Sequence, residues 1–199
     1  MSLFPMFLKL SGRLCLVVGA GRVGEPKIQG LIAVGATVKV VAPEATEEVA
    51  QWSRAGQIDW QRRRFEPSDL HGVFLVVAAT PSQELNASIY RDAQALGVLC
   101  NVVDDPANCD FYYPSVVRRG EFQIAISTNG SSPALAQRLR EELEQQFGPE
   151  YEAWIEALGR ERQRLFALPL DPAERRRILH RMVTRERFEE FVRGKTVEK

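Results

Sequence analysis

The first hundred or so residues alternate continuous apolar runs with segments in which apolar residues recur every three or four positions. Strands are predicted at residues 14–18, 37–41, 58–61, 73–79 and 98–103, of which 14–18 and 73–79 are apolar throughout. The segments between them predict helices at residues 23–35, 44–55 and 82–96. A strand with no polar alternation is typical of a parallel sheet that is covered on both faces. The pattern therefore predicts an α/β fold with a Rossmann-type parallel sheet.

The pattern changes after residue 104. Residues 104–109 are rich in turn formers, and two β-like runs, 115–117 and 122–127, predict an antiparallel hairpin. A helix is predicted from Pro133 to about Phe147, and the rest is helical, charged and interrupted by prolines. We therefore predict a Rossmann-type domain over residues 1–110, a small α+β linking region over 111–147 and a helical region over 148–199.

Composition narrows the class of protein. The 199 residues are 45% hydrophobic and 26% charged with no net charge, which is typical of a soluble globular protein and does not favour a nucleic-acid partner. The three cysteines are far apart, which disfavours a disulfide framework and a cysteine-rich metal site. No apolar run is long enough to span a membrane, and residues 1–10 lack a basic segment and a cleavage site. We expect a cytoplasmic protein with no membrane association and no metal site.

A glycine-rich loop follows the first predicted strand and opens the first predicted helix. Its sequence is Gly19-Ala20-Gly21-Arg22-Val23-Gly24. In this position the three glycines allow a tight turn, close approach of a pyrophosphate and close packing of helix on strand. The helix N-terminus adds free N–H groups and a positive dipole end. The loop predicts a dinucleotide site, and Pro26 is tolerated in the first helical turn.

The second predicted strand ends in Pro43 and Glu44. A carboxylate near this position favours NAD over NADP, because it accepts hydrogen bonds from the adenosine ribose. Glu44 is equally compatible with the N-terminus of the following helix, where the dipole stabilises a carboxylate. Both interpretations stay open at this stage.

Ligands of such sheets bind at the carboxyl ends of the strands. Thr80 follows the fourth predicted strand, and Asn101 and Asp104 lie at the end of the fifth. Asp104 is our candidate proton acceptor beside the nicotinamide. The alternative is that Asp104 and Asp105 cap a turn before Pro106.

The polar stretch at residues 127–133 enters the predicted fourth helix. Ser131 or Ser132 is suited to an N-cap with Pro133 at the first helical position, and the same stretch is suited to anion binding. The only histidines, His71 and His180, are expected at the surface.

Several motifs in order resemble one known family. They are FPMFLKL at residues 4–10, the glycine loop through Lys27, VAPE at 41–44, AAT at 78–80, CNVVD at 100–104, FYYP at 111–114 and ISTNGSSP at 126–133. Together they resemble the precorrin-2 dehydrogenase/sirohydrochlorin ferrochelatase family, which includes the N-terminal part of siroheme synthase. The chain differs in having Gly24 where alanine is common, Pro26 where arginine is common and Asn129 where glycine is common.

The resemblance implies NAD-dependent oxidation of precorrin-2 to sirohydrochlorin, with Asp104 as the catalytic residue. It implies a homodimer built through the middle region and, in some members, insertion of ferrous iron as a second activity. We expect the cofactor at Gly19, Gly21, Arg22, Val23, Gly24, Pro43, Glu44 and Thr80. We expect the tetrapyrrole, which carries many carboxylates, at Asn101, Arg118, Ser127, Thr128, Asn129 and Ser132.

Two other functions are compatible with these observations. One is a bifunctional dehydrogenase and ferrochelatase, because a chelatase needs only a base and a cleft. The other is a regulatory Rossmann module that senses NAD(H), which explains the glycine loop but not residues 101–104 or 128–133.

Overall fold

The computed structural model describes residues 3–197; the outermost positions of the predicted first and third regions, residues 1, 2, 198 and 199, lie outside it. The chain divides into two compact units, Met1–Tyr113 and Pro114–Lys199. Each unit is described on its own below.

The first unit is a parallel sheet of five strands in the order β3-β2-β1-β4-β5. The strands are β1 Leu14–Ala20, β2 Thr37–Ala45, β3 Asp59–Gln61, β4 Leu75–Ala78 and β5 Leu99–Val102. The helices are α1 Glu25–Ala33, α2 Glu47–Arg54 and α3 Gln83–Leu96. The predicted Rossmann-type sheet is confirmed.

The core has two layers because β1 is covered on both faces. Cys15 and Val17 belong to the apolar cluster that includes Ile28 of α1, and Leu16 and Val18 belong to the cluster that includes Ile89 of α3. Successive strand residues point to opposite faces, so a strand buried on both sides has no polar positions. This explains why the sequence of β1 shows no alternation.

Strand β2 extends further than the apolar run predicts. It continues through Pro43 to Ala45, where Ala45 pairs with Ala20 of β1. The pairing of β2 with β3 ends at Val41 and Gln61, so the missing N–H of Pro43 breaks no ladder there. Thr46 then caps α2 by accepting a hydrogen bond from the N–H of Val49. The alternative that placed Glu44 at a helix N-terminus is wrong, because Glu44 is a strand residue.

A buried carboxylate is neutralised beside β2. Asp69, in a short 3-10 helix at Pro67–Leu70, accepts hydrogen bonds from both terminal nitrogens of Arg63 at 2.8 and 2.6 Å and from Nζ of Lys39 at 2.7 Å. The bonds from Arg63 and Lys39 hold the pKa of Asp69 well below its usual range. The carboxylate therefore links β2 to the segment that precedes β4.

Replacing Asp69 with asparagine is expected to lower the free energy of unfolding at pH 7 by about 2–3 kcal/mol, because two cations lose their buried anionic partner. The pKa of Asp69 is lower in the folded chain than in the unfolded chain. The stabilisation is therefore complete above the unfolded value of about 3.9 and is lost as the pH falls through the folded value. Urea unfolding from pH 7 to pH 3 checks this, with exposed Asp59→Asn as the control. Equal curves for Asp69→Asn and the parent protein would contradict it.

The second unit begins with the predicted hairpin, β6 Ser115–Arg119 and β7 Phe122–Ile126, which pair antiparallel. Four helices follow: α4 Pro133–Gln146, α5 Glu150–Ala167, α6 Pro172–Met182 and α7 Arg185–Val197. The prolines interrupt the tail as expected. None of the described helices is long and apolar enough to cross a membrane.

Aromatic rings form the contacts between the elements of the second unit. Tyr151 of α5 stacks on Phe122 of β7 with ring centroids 5.5 Å apart and lies 4.5 Å from Phe188 of α7. Trp154 of α5 contacts Phe188 and Phe191. Together with Phe147, these rings form one continuous series from the hairpin to the last helix.

Candidate functional site

The carboxyl end of the sheet in the first unit contains the loop after β1 and the ends of β2, β4 and β5. The strand order reverses direction between β1 and β4, which is the point at which open α/β sheets bind their ligands. Gly19–Gly24 and Glu44 lie at the ends of β1 and β2, and Thr80 and Asp104 follow β4 and β5. The topology thus brings the cofactor residues predicted in the first unit and Asp104 to one edge of the sheet.

The glycine loop is packed tightly against its surroundings at two positions. Gly19 has a φ of 101°, and a Cβ there would overlap the carbonyl oxygen of Ala79. A Cβ on Gly24 would overlap the carbonyl oxygen of Gly19. Both positions require glycine in this loop, so the alanine common in the family at position 24 does not fit here.

Gly21 differs from the other two glycines, because a Cβ built on it meets nothing within 4 Å. Among the residues that the structure describes, none accepts a hydrogen bond from the backbone N–H of Arg22, Val23 or Gly24. Open space beside free N–H groups at a helix N-terminus suits the pyrophosphate of a dinucleotide. Pro26 lies in the first turn of α1, where it removes no helical hydrogen bond.

Pro43 and Glu44 lie exposed at the carboxyl end of β2, next to β1. This is the side of the sheet on which Rossmann folds bind the adenosine half of the cofactor. The position of the Glu44 carboxylate fits the predicted contact with the ribose.

Asp104 follows β5 with a φ of 60°, a left-handed conformation that aspartate and asparagine tolerate better than most residues. Its side chain is exposed and accepts no hydrogen bond from the described residues. The neighbouring Asp105 has the turn role instead: its carboxylate accepts a hydrogen bond from Nδ2 of Asn108 at 2.7 Å. The alternative in which both aspartates cap the turn therefore holds for Asp105 alone, and the Asp104 carboxylate is available for chemistry.

Thr80 is held in place by a buried amide that the sequence did not single out. Oδ1 of Asn86 accepts hydrogen bonds from the backbone N–H of Thr80 at 3.2 Å and from its hydroxyl at 2.7 Å, and Nδ2 of Asn86 donates to its carbonyl at 3.0 Å. Asn86 is 6% exposed. The Thr80 hydroxyl is thus engaged within the protein, and Asn86 holds the segment directly after β4.

The side chain of Asn101, like that of Asn86, is held by hydrogen bonds within the protein. Its Nδ2 donates to the carbonyl of Phe111 at 2.8 Å and contacts Sγ of Cys109, while Sγ of Cys109 donates to the carbonyl of Val102. These bonds fasten the segment after Asp104 back onto β5. Contact of Asn101 with a substrate remains a prediction.

Lys27 and Tyr113 form a contact at this edge that sequence reasoning missed. Nζ of Lys27 lies 3.8 Å from the centroid of the Tyr113 ring. Burial lowers the pKa of Lys27, and the negative charge of Asp104 opposes that shift. The sequence signal was present, since Lys27 is on the helix that the glycine loop opens, but only the fold places it near Asp104.

The remaining predicted residues belong to the second unit. Ser132 caps α4 by accepting a hydrogen bond from the N–H of Leu135, with Pro133 next to it, so its predicted capping role is confirmed. Thr128 Oγ1 accepts from the N–H of Ser132, Ser127 Oγ accepts from the N–H of Asn129, and Asn129 has a φ of 54°. Substrate binding by these residues stays a prediction.

Two neighbouring arginines on β6 have different environments. Arg119 donates to the carbonyls of Phe147 and Glu144 and so satisfies the C-terminal end of α4. Arg118 is exposed and opposes Gln123 in the hairpin. Of the two, Arg118 is the one whose guanidinium faces solvent.

Metal-binding groups are absent from the described residues: no three His, Cys, Asp or Glu side chains come together to hold an ion. His71 follows the 3-10 helix and His180 lies on α6, both exposed as expected.

Comparison with known proteins places these features in a family. The family model described as "Putative NAD(P)-binding" matches residues 6–115, and one described as "Sirohaem biosynthesis protein central" matches residues 119–146. Siroheme synthase 1 of Aeromonas salmonicida is 38% identical over 188 residues, covering 94% of this chain and 40% of that protein. Siroheme synthase 1 of Pectobacterium atrosepticum is 40% identical over 188 residues, covering 94% and 37%. The chain thus spans about two fifths of the length of these relatives.

A solved structure matches both units. SirC, a precorrin-2 dehydrogenase, superposes with a TM-score of 0.80 at 27% identity, and the match covers 96% of this chain and 98% of that one. The resemblance inferred from the sequence motifs is confirmed by these matches. The chain belongs to the putative NAD(P)-binding family whose model spans residues 6–115.

Proposed function

We propose that the protein is an NAD-dependent precorrin-2 dehydrogenase that forms sirohydrochlorin. The observation that carries the proposal is the match to SirC, because it extends over nearly the full length of both chains. The longer siroheme synthases support the same pathway.

Bound NAD supplies an acceptor for the hydride that leaves precorrin-2. The N–H groups of Arg22, Val23 and Gly24 bind the pyrophosphate, and Glu44 binds the adenosine ribose. Asn86 fixes the Thr80 backbone at the end of β4, where it bounds the nicotinamide side of the site.

Asp104 accepts the proton that accompanies hydride loss. In this oxidation the substrate would lose two hydrogens, one as a hydride that NAD would accept and one as a proton that the Asp104 carboxylate accepts and releases to solvent. An exposed carboxylate without a described hydrogen-bond donor is suited to this exchange.

Ferrous iron insertion is the second activity to test, with iron as a substrate. The siroheme synthases matched here support the test, and Asp104 is the base that it would share with the dehydrogenase. Arg118, Ser127, Thr128, Asn129 and Ser132 remain the proposed tetrapyrrole contacts of the second unit, with Asn101 in the first.

We also propose a homodimer in the cytoplasm. The β6–β7 hairpin is a sheet of only two strands, which seldom suffices alone, and its outer edges suit pairing with a second copy. The three cysteines are free thiols, which suits a reducing compartment. Light scattering should give about twice the chain mass of 22.4 kDa; a monomer would refute the dimer.

The decisive experiment is an anaerobic assay with precorrin-2 and NAD, followed by ferrous iron. NADH and sirohydrochlorin should appear together in equal amounts. Enzyme-dependent loss of the sirohydrochlorin spectrum on adding iron would establish the chelatase. Binding of NADH without tetrapyrrole binding or turnover would overturn the proposal and favour an NAD(H)-sensing module.

A further inference from the structure

Lys27 is a half-buried cation without an anionic partner in the described part of the chain. It lies in the first turn of α1, and no described carboxylate comes within 4 Å of its ammonium. No described acceptor takes a hydrogen bond from Nζ either; its contact is the face of the Tyr113 ring. By contrast, Lys39 of β2, which is also partly buried, donates to the Asp69 carboxylate at 2.7 Å.

An ammonium in this position retains its capacity to donate hydrogen bonds. A lysine has three N–H donors, and an aromatic face attracts the charge without accepting them all. Partial burial makes the charged form more costly unless an anion approaches. The unpaired positive charge and free N–H donors of Nζ therefore favour binding of an oxyanion.

The Tyr113 ring that contacts Lys27 is itself fixed. The residue is 44% exposed, and burial raises the pKa of Tyr113 to about 12. Phe111 packs against the ring in an edge-on arrangement with centroids 5.7 Å apart. The ring held by Phe111 on one side therefore presents its face to the ammonium of Lys27.

The position of Lys27 indicates which oxyanion it meets. The pyrophosphate donors are the N–H groups of residues 22–24, before α1 begins. The Lys27 ammonium is instead on the helix that opens beside β1, and the charge of Asp104, which follows β5 on the nicotinamide side of the strand order, opposes the lowering of the Lys27 pKa by burial. The substrate, not the cofactor phosphate, is expected at that side.

We propose that Lys27 binds a carboxylate of the tetrapyrrole beside Asp104 and is a specificity-determining residue for this acidic substrate. This inference rests on the proposed function and deepens it. With one carboxylate on Lys27, the reacting carbon centre is oriented towards the Asp104 oxygen that takes its proton. The phosphate of the dinucleotide is the other source of an oxyanion, and binding measurements distinguish the two.

The test compares Lys27→Met and Lys27→Arg with the control Lys9→Met, a lysine of the N-terminal segment outside the site. Sirohydrochlorin and its methyl ester are titrated by absorbance, and NADH by its fluorescence. We expect Lys27→Met to weaken sirohydrochlorin binding by about 10- to 100-fold, as for loss of a charge-assisted hydrogen bond, and to leave NADH binding within about twofold. Lys27→Met should not change the affinity for the methyl ester. Lys27→Arg should retain most of the affinity for sirohydrochlorin.

Two results would overturn the inference: unchanged sirohydrochlorin binding, or a loss confined to NADH, which would assign the ammonium to the phosphate. Thermal unfolding of each variant separates a binding effect from misfolding, and Lys27→Gln replaces Lys27→Met if the latter unfolds. If the parent protein does not oxidise precorrin-2 but Lys27→Met still weakens sirohydrochlorin binding, the dehydrogenase function is refuted and the carboxylate contact is not. Turnover with no Lys27 effect would refute only the contact.

Discussion

Asp104→Asn is expected to lower turnover of precorrin-2 by about 10²- to 10⁴-fold, because the amide cannot accept the proton that the carboxylate takes. Asparagine is the informative replacement. The φ of 60° at this position is tolerated by asparagine, whereas alanine would add backbone strain to the loss of the carboxylate. The change therefore removes the base and retains the loop, and single-turnover kinetics under anaerobic conditions measure the effect.

Asp105→Asn is the matched control for this experiment. Asp105 is the adjacent carboxylate, but it bonds to Asn108 within the turn, and an amide oxygen can accept the same hydrogen bond. Its turnover should stay near that of the parent protein, and NADH affinity should be unchanged in both variants. If Asp104→Asn retained full turnover, the proton would have another acceptor and the assignment would fail.

Gly21→Val is expected to abolish measurable NAD binding, with a dissociation constant raised by at least about 100-fold, while the fold persists. A Cβ built on Gly21 meets no protein atom within 4 Å, so we expect a valine side chain there to extend into the space that the pyrophosphate needs. Equilibrium dialysis with NAD measures the loss, and thermal unfolding should show a midpoint close to that of the parent protein.

Gly30→Ala, in the helix that follows the loop, is the control for a glycine substitution. Gly30 also has nothing within 4 Å of a built Cβ, but it lies away from the loop, and alanine there should stabilise α1 by about 0.5–1 kcal/mol. Gly19→Ala should behave oppositely to Gly21→Val and impair folding itself, since its Cβ overlaps the backbone of Ala79, directly after β4. Normal NAD binding by Gly21→Val would refute the placement of the pyrophosphate.

The elements that the sequence predicts well are those whose cause is local. Continuous apolar runs predict β1, β4 and β5 because burial on both faces removes polar positions. Ser132 and Pro133 predict the start of α4 because an N-cap and a proline act on the adjacent turn. The glycine loop is also predicted from local sequence, because its three glycines have the spacing that a Rossmann loop requires.

The features that the sequence could not predict depend on residues far apart in the chain. Strand β2 reaches Ala45 by pairing with β1, and its pairing with β3 ends at Val41, which makes room for Pro43 inside the strand. The buried Asp69 is satisfied by Lys39 from a strand thirty positions earlier. The contact of Lys27 with Tyr113 needs the whole sheet to bring residue 113 back beside α1. The spacing of apolar residues along the sequence does not predict contacts between residues so far apart.

The aromatic series of the second unit also provides a spectroscopic reporter. Of the three tryptophans, Trp154 alone lies in the second unit, packed against Phe188 and Phe191 of α7. Trp52 and Trp60 belong to the first unit. A variant with phenylalanine at both of those positions would emit only from the interface between α5 and α7. Its fluorescence would follow the melting of the helical unit separately from that of the nucleotide-binding sheet.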